Sequence, residues 1–541
     1  MSTVASFVGS YNEGSGSSQN APFLPNTSGA LGMQEISGIL KQIYDNQKLA
    51  VLYYKNNPAW AMFPKKEDFY GETYPLTTIV ETPTGIANVF ANAQLPNQLI
   101  NSGSGIAGNQ GPPKFVKFML TRAAAYGIHV IDRQAMLSAS RDIGSFVNGQ
   151  MATMDAMIQG TTNLLSQQMY RSGSGSVGSI STVGPFTPTV TTNTSVTLTA
   201  VSSFTGLTVG ATITGTGIPA STYIAALNPG AATITLSQAA TASATITATA
   251  GAGVIQLVNP TDVRYFTVGQ CYLATSVDPV QGSSPTLRAG YGYLININRA
   301  AGVLTFGLAS AASPSTPATP TAWVVGDYLA INGTSPLNGP TVAGASVPVA
   351  LSGMMGWIGN SQNITPTDVW FGVNRYQDTW RLAGGFYDGS QNGQSVEEAL
   401  YDASTALFME GGSPSHCFVG ANAYSALQKS YAARNIFPTD LAGPKDESGT
   451  PLLYFKGITI QGAGSEFVVI ADRNCPPYSA FLVTLEDWAI YSLKSAPHVV
   501  DDDGLSFLRQ TSADSYEFRM AAYCQVGTRA PGHSCFVKLS I

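Results

Sequence analysis

Two Gly-x-Gly-x-x-Gly stretches, Gly103-Ser-Gly-Ile-Ala-Gly108 and Gly173-Ser-Gly-Ser-Val-Gly178, are the first residues in this chain that could cradle a phosphate. That chemistry needs a strand before the glycines and a helix after them, so that helix N–H groups meet the pyrophosphate. The second stretch follows a helical pattern and precedes strands, the reverse order, and the first lies in an unpatterned region. Glycine-permitted turns account for both. Asp501-Asp502-Asp503 could attract a cation, but carboxylates consecutive in sequence rarely converge without other ligands. A solvated turn after Val499-Val500 is the simpler reading. His416-Cys417 and the set Cys524, His533, Cys535 carry zinc-type donors. Yet Cys417, Cys524 and Cys535 fall on apolar strand positions, where a free thiol acts as a small hydrophobe. With four His in the chain, no nucleophile–base pair stands at a recognisable spacing. The residues therefore predict no catalytic, cofactor or metal site, and no enzyme.

Composition points the same way. The chain has 541 residues, of which 44% are apolar and only 11% charged, with 56 Gly. The length accommodates roughly three or four domains. Low charge with abundant Gly, Thr and Ala fits β-rich structural proteins, whereas disorder needs high charge and few apolar residues. A net charge of −6 gives no basic footprint for tight nucleic-acid binding. Met1-Ser-Thr-Val-Ala-Ser-Phe7 lacks the basic and apolar regions of a secretory leader, and no run of about eighteen apolar residues predicts a membrane span. Five Cys without a CxxC pair fit free thiols in a reducing cytoplasm.

The elements that would position these residues come next. Residues 1–32 read as a flexible, Gly/Ser-rich arm, and Met33 to Asn56 as a helix ending before Pro58. Thr73 to Glu81 and Lys114 to Arg122 read as strands flanking a long stretch with little patterning, the kind of loop that is usually functional or disordered. A helix is expected near Asp132 to Ser140. Asp142 is then a candidate N-cap for the longest helix, Ile143 to Arg171, with a stripe of Val147, Met151, Met154, Ile158, Leu165 and Met169.

Between Arg171 and Asp262 there is no Asp, Glu, Lys, Arg or His, against an ordinary charged share of about 25%. Such a surface has little to keep it from associating with neighbours. Within and beyond this gap runs an internal repeat. Thr222-Tyr-Ile-Ala-Ala-Leu-Asn-Pro-Gly-Ala-Ala-Thr-Ile-Thr-Leu236 aligns without a gap on Gly292-Tyr-Leu-Ile-Asn-Ile-Asn-Arg-Ala-Ala-Gly-Val-Leu-Thr-Phe306. Each copy reads as strand, Asn-containing turn, strand. Val-Gly turns occur at Val209-Gly210, Val268-Gly269 and Val325-Gly326. Two related all-β modules, small sandwiches or barrels, are expected here.

Mixed structure returns after Val347. Ser395-Val-Glu-Glu398 reads as a capping box, Cys417 to Val419 as a buried strand, and Asn422 as the cap of a further helix. Strands are expected at Gly457 to Ile460, Phe467 to Ile470 and Phe481 to Leu485. Tyr516, Phe518, Met520, Ala522, Cys524 and Val526 alternate with polar residues, and Cys535, Val537, Leu539 and Ile541 resume the alternation.

This order of elements resembles the major capsid protein of tailed double-stranded DNA bacteriophages, the Hong Kong 97-like capsid fold. Tyr74-Pro-Leu with Lys114-Phe-Val-Lys-Phe matches that family's extended loop and return strand. Asp142 to Arg171, running into Ser-Gly-Ser-Gly-Ser-Val-Gly178, matches its spine helix. His416 to Leu427 is similar to the strand-then-helix of its axial domain, and Tyr516 to Ile541, with Thr528-Arg-Ala-Pro531, to its closing peripheral strands. The resemblance implies an α+β fold divided as follows: N-terminal arm 1–32, N-terminal helix and peripheral start 33–72, extended loop 73–122, and peripheral domain with spine helix 123–184. Inserted β modules at 185–260 and 261–346 follow, then an axial domain at 347–500 and closing strands at 501–541. It implies a subunit of hexamers and pentamers in an icosahedral head, assembled in the host cytoplasm. Neighbouring copies would meet through extended loop and spine at Tyr74, Leu76, Ile79, Ile86, Phe90, Leu95, Phe115, Phe118, Met151 and Arg171. The partners implied are further copies of the chain, a portal protein, a separate scaffold, a decoration protein and weakly held double-stranded DNA, with no cofactor and no membrane.

Some family members crosslink the shell through a Lys of the extended loop. Here no Lys lies between Lys66 and Lys114, so no such bond is expected, and mature particles should show no covalent ladder in denaturing gels. The β insert lies outside the family's core fold and is expected on the outer face. The alternatives are an encapsulin-type compartment shell, a β-rich tail-fibre or adhesin, and a hydrolase with carbohydrate-binding modules. Particle size and DNA content separate the first, trimeric rods would mark the second, and the third needs a carboxylate pair in a cleft.

Overall fold

A computed structural model describes residues 30–31, 57–94, 100–101, 106–107, 109–134, 149–204, 207, 209–250, 253–278, 285–308, 317–334, 341–342, 345–346, 350–358, 364–366, 368–391, 393–434, 458–501, 504, 507–510 and 513–540. The helix expected over 33–56, all but the first residues of that expected near 132–140, and the start of that expected from 143 lie outside them. The chain divides into two compact units.

The larger unit begins with α1 (Pro58–Met62) and the antiparallel pair β1 (Thr73–Glu81) and β2 (Lys114–Thr121), which run from Thr73↔Thr121 to Glu81↔Lys114. β3 (Ala123–Asp132) follows, then α2 (Gly149–Gln168), the described part of the long helix. α2 lies close on β3 because Gly127 has no side chain. A Cβ there would stand 2.8 Å from both Met157 Sδ and Thr161 Oγ1.

The smaller unit, Gly178–Ala274 with Arg288–Leu329, holds the repeats. β4 (Ser176–Val183) leads into β5 (Thr189–Asn193), β6 (Thr197–Leu198), β7 (Ile213–Thr214), β8 (Ile224–Asn228), β9 (Thr233–Leu236), β10 (Ser243–Thr247) and β11 (Thr249–Ala250). Then come β12 (Val254–Leu257), β13 (Cys271–Thr275), β14 (Gly292–Asn298), β15 (Val303–Leu308) and β16 (Tyr328–Ile331). β4 and β12 to β16 form a closed barrel, order β12-β15-β14-β13-β16-β4. In the first module, small sheets β6-β9-β8, β7-β11 and β10-β5 are joined by the bridges Thr191↔Thr199 and Thr212↔Tyr223. The result is the same strand order, around a core of Val190, Leu198, Ile213, Ile224, Ile234 and Leu236.

The sequence displays two copies of the repeat; the structure contains a third. Hairpin β8–β9 slips by one residue between Ile224 and Ala226, and β14–β15 between the aligned Leu294 and Asn296. β4–β12 does the same where Ile180 faces Leu257 and Thr182 faces Gln256. Each Val-Gly turn then docks on the residue before the bulge. The amides of Gly210, Gly269 and Gly326, at φ 88°, 90° and 90°, donate to the carbonyls of Ile224, Leu294 and Ile180 at 2.7, 2.9 and 2.9 Å. These three residues are fully buried. The third copy escaped sequence reading because its hairpin is split: Gly184 donates to Val254 at 2.7 Å, and the whole first module lies in the turn between them.

After the insert the larger unit resumes with β17 (Gly385–Asp388), α3 (Val396–Met409), β18 (His416–Val419), α4 (Ala421–Arg434), β19 (Ile458–Gln461), β20 (Glu466–Ala471), β21 (Ser479–Val483), β22 (Trp488–Ser492), β23 (Ser515–Thr528) and β24 (Cys535–Lys538). Ser395 caps α3 with Glu398 in a reciprocal box. Asn422 is not a cap, because α4 already starts at Ala421. One six-stranded sheet, β17-β24-β21-β18-β20-β19, is covered by Val396, Leu400 and Leu407 of α3. The second sheet is built on β23, which pairs with β3 from Ser515↔Asp132 to Cys524↔Ala123 and with β22 on its other side. Phe518, Met520, Ala522, Cys524 and Val526 are buried, as the alternation predicts. So are Ala521 and Gln525 between them and Thr528 beyond, so the C-terminal half of β23 is covered on both faces.

Candidate functional site

β1 and β2 make an arm whose two ends differ in burial. At its root Leu76, Phe118 and Leu120 are at most 2% exposed. Phe118 meets the Trp357 ring edge-on at 5.2 Å, and Trp357 Nε1 donates to the Val526 carbonyl at 2.9 Å. Gly527 makes room for the root, since a Cβ there would lie 2.8 Å from Leu76 and Leu120 methyls. Tyr74, half-buried, meets the Tyr491 ring at 4.7 Å in a tilted arrangement, and Met119 donates its backbone N–H to the Phe371 carbonyl at 2.8 Å. Val80 and Val116 still pack partly against the core, but other apolar side chains towards the tip have no cover within the described residues. Ile79 and Phe115, directly opposed across the pair, are 62% and 61% exposed, and Ile86, Val89 and Phe90 are 78%, 58% and 78% exposed.

The C-terminal end of α2 is held as firmly. Leu165, Met169 and Tyr170 are buried, and Tyr170 Oη donates to Asp472 Oδ2 at 2.9 Å beside the Phe481 ring. A buried polar chain continues through Asn474, whose Nδ2 donates to Asn57 Oδ1 and Ser166 Oγ. Arg171, half-buried, accepts the Gly353 N–H at its carbonyl. Gly173 and Gly175 at φ 85° and 71° turn the chain out of the helix, which is the use of the second glycine stretch.

Of the residues singled out as a surface between copies, Leu76 and Phe118 therefore belong to the chain's own core, where a neighbour cannot reach them. Tyr74 and Arg171 are half-buried at the root and at the helix end. Ile79, Ile86, Phe90 and Phe115 stand in solvent. Leu95 lies outside the described residues, and Met151 sits on the described backbone of α2. Sequence reading missed Val89 at the tip, Tyr126 and Ile128 on the open face of β3 (61% and 58% exposed), and Phe408 and Met409 at the end of α3 (53% and 79%). The alternation of β3 was the available signal for the first pair.

Chemistry has little to rest on. Among the described residues no group of three His, Cys, Asp or Glu could hold a metal. Cys417, Cys524 and Cys535 are fully buried, and burial pushes each thiol up, Cys524 and Cys535 to about 12. His416 is held below the ordinary histidine range by burial. No described helix is long and apolar enough to cross a membrane.

No family model and no curated protein matches the chain. Among solved structures it is similar to a chain of the cyanophage A-1(L) capsid, at 9% identity and TM-score 0.44, over 92% of this chain and 96% of that one. It is similar to the capsid chain of an empty GTA particle at 7% identity and TM-score 0.37, over 94% and 98%. A chain of mycobacterium phage Bobi aligns at 10% identity and TM-score 0.34, over 94% and 99%. These three solved chains, each aligned over most of its length, come from a cyanophage capsid, the capsid of a GTA particle and a mycobacterium phage.

Proposed function

We propose that this chain is the major subunit of an icosahedral phage head, a structural protein that assembles with its own copies into hexamers and pentamers around double-stranded DNA. One observation carries the reading: the arm is rooted in the core at Leu76, Phe118 and Leu120 while its far half presents Ile79, Ile86, Val89, Phe90 and Phe115 to solvent. Rigid anchoring with an uncovered apolar end is costly for an isolated chain and suits a surface that a neighbouring copy covers, as in obligate interfaces. A fibre or adhesin reading leaves both the arm and the helix that backs β3 without a role. The net charge of −6 fits weak, non-specific contact with packaged DNA. Portal, scaffold and decoration proteins are the further partners proposed, and the virion shell is the location.

Negative-stain microscopy of the expressed chain tests this. Closed shells of uniform diameter support it, whereas rods or dispersed monomers at micromolar concentration overturn it. Nuclease-protected DNA inside native particles distinguishes a phage head from a compartment shell.

A further inference from the structure

The turn from Arg529 to Ser534, between β23 and β24, ties the arm down. Thr78 Oγ1 of β1 donates to the Arg529 carbonyl, and Arg381 Nη1 donates to the Val80 carbonyl at 3.2 Å. The same turn grips the segment before β22. Arg529 N–H donates to the Asp487 carbonyl at 3.0 Å and Gly532 N–H to the Arg381 carbonyl at 3.2 Å. Thr484 Oγ1 donates to the His533 carbonyl at 3.0 Å. Across this junction His533 Nδ1 stands 2.8 Å from Asp487 Oδ2, with both side chains partly open to solvent. The imidazole thus bridges the turn that carries the arm and the segment Leu485–Asp487 that starts β22.

We propose that His533 and Asp487 form a pH-operated clasp on the root of the arm, tight when the imidazole is protonated and slack when it is neutral. The clasp is a property of the single chain. Only its consequence for assembly rests on the reading of the arm as a contact between copies. The charged groups on the elements packed against His533 are few. Asp487 and Glu486 come from the segment before β22, and Arg529 from its own turn. Asp378 and Arg381 lie on the stretch under Gly532 and pair with each other at 3.8 Å. Glu410 ends α3, whose following Gly412 packs against the His533 backbone. Asp487 is the group in direct contact, so it decides the sign. Its hydrogen bond raises the His533 pKa above the ordinary value, against a smaller opposing effect of burial. A raised folded-state pKa gives stabilisation that is complete below the ordinary histidine pKa of about 6.5 and lost as pH rises through the raised value.

Hydrogen exchange on the full chain between pH 6 and 8.5, corrected for intrinsic rates, tests the clasp. Protection of peptides covering 73–81 and 114–121 should fall about two- to three-fold across that range, the scale of a part-exposed ion pair, while peptides of β18 and β21 stay level. In both His533→Gln and Asp487→Asn the arm's pH response should vanish; the second variant keeps an acceptor and guards against misfolding of the first. Arm protection that does not vary with pH in the native chain, or a response that survives in both variants, overturns the proposal. Shell formation by microscopy is read separately, so failure of the clasp is distinguishable from failure of the capsid reading.

Discussion

Asn228 and Asn298 close equivalent turns in two barrels. Each side-chain oxygen accepts the backbone N–H of an alanine three residues on, Ala231 at 3.2 Å and Ala301 at 3.1 Å. The next residue in each is left-handed, Ala232 at φ 53° and Gly302 at φ 69°. An Asn side chain that mimics a backbone turn is a local device, and here it recurs in copies whose other residues have diverged. The third copy has no such turn, because Gly184 runs into a module and Gly253, at φ 73°, returns from it.

That relationship makes the first module removable. Replacing residues 184–252 by Asn-Arg-Ala-Ala, the turn present at Asn298 to Ala301, should restore an uninterrupted β4–β12 hairpin. The shortened chain is expected to lose only the β signal of β5 to β11 by circular dichroism and to form the same particles as the full chain. Insoluble chain, or loss of the barrel's exchange protection, would refute this.

Tip and root of the arm should respond oppositely to substitution. Ile79→Ser with Phe115→Ser removes apolar surface that no described residue covers, so monomer stability in urea should stay within about 0.5 kcal/mol. Particle formation, followed by light scattering, should be lost. Phe118→Ala, by contrast, opens a cavity against Trp357 and should cost about 3–5 kcal/mol.

Gly353 passes so close to the end of α2 that an added Cβ would meet the Met169 carbonyl oxygen at 2.1 Å. Backbone bonds from Gly353 to Arg171 and from Met354 to Met169, at 2.9 and 2.6 Å, prevent retreat. Gly353→Ala should therefore destabilise by about 3 kcal/mol or more. Gly160, inside α2 with open space around it, provides the control: Gly160→Ala should stabilise by about 0.5–1 kcal/mol in the same urea titration.

The thiols should separate cleanly. Cys417, Cys475, Cys524 and Cys535 are buried and Cys271 only partly so. Burial also raises the Cys271 pKa. At pH 8 a thiol reagent such as DTNB should label Cys271 slowly and the others only after unfolding. Fast labelling of a second thiol in the folded chain would contradict the packing of β18, β23, β24 or the turn that holds Cys475 between β20 and β21.

Much of this fold was legible because its signals are local. The Ser395–Glu398 box, the alternation of β23 and the aligned hairpins at Thr222 and Gly292 each lie within one short window. The split hairpin was illegible because its halves, at Ile180 and Leu257, are separated by a module with strands of its own. The candidate site divided in the same way. Two strands flanking a long, little-patterned stretch marked the arm, but Leu76 and Ile79 look alike in sequence. Only Trp357 and Gly527, remote in the chain, decide that one is core and the other surface. Asn422 misled because a good capping residue sits one position inside a helix that Gly420 lets begin earlier.

The module lodged in the β4–β12 turn also sets an order in time. A hairpin closed across the stretch from Gly184 to Gly253, rather than across a few residues, costs about 2 kcal/mol more in chain entropy. That penalty disappears once the enclosed barrel has formed and holds its two ends side by side. The enclosed barrel is therefore expected to fold first and to template closure of the outer one, like an inner parenthesis completed before the outer. Pulse-labelled exchange during refolding should find β8 and β9 protected before β12, and the reverse order would rule this out.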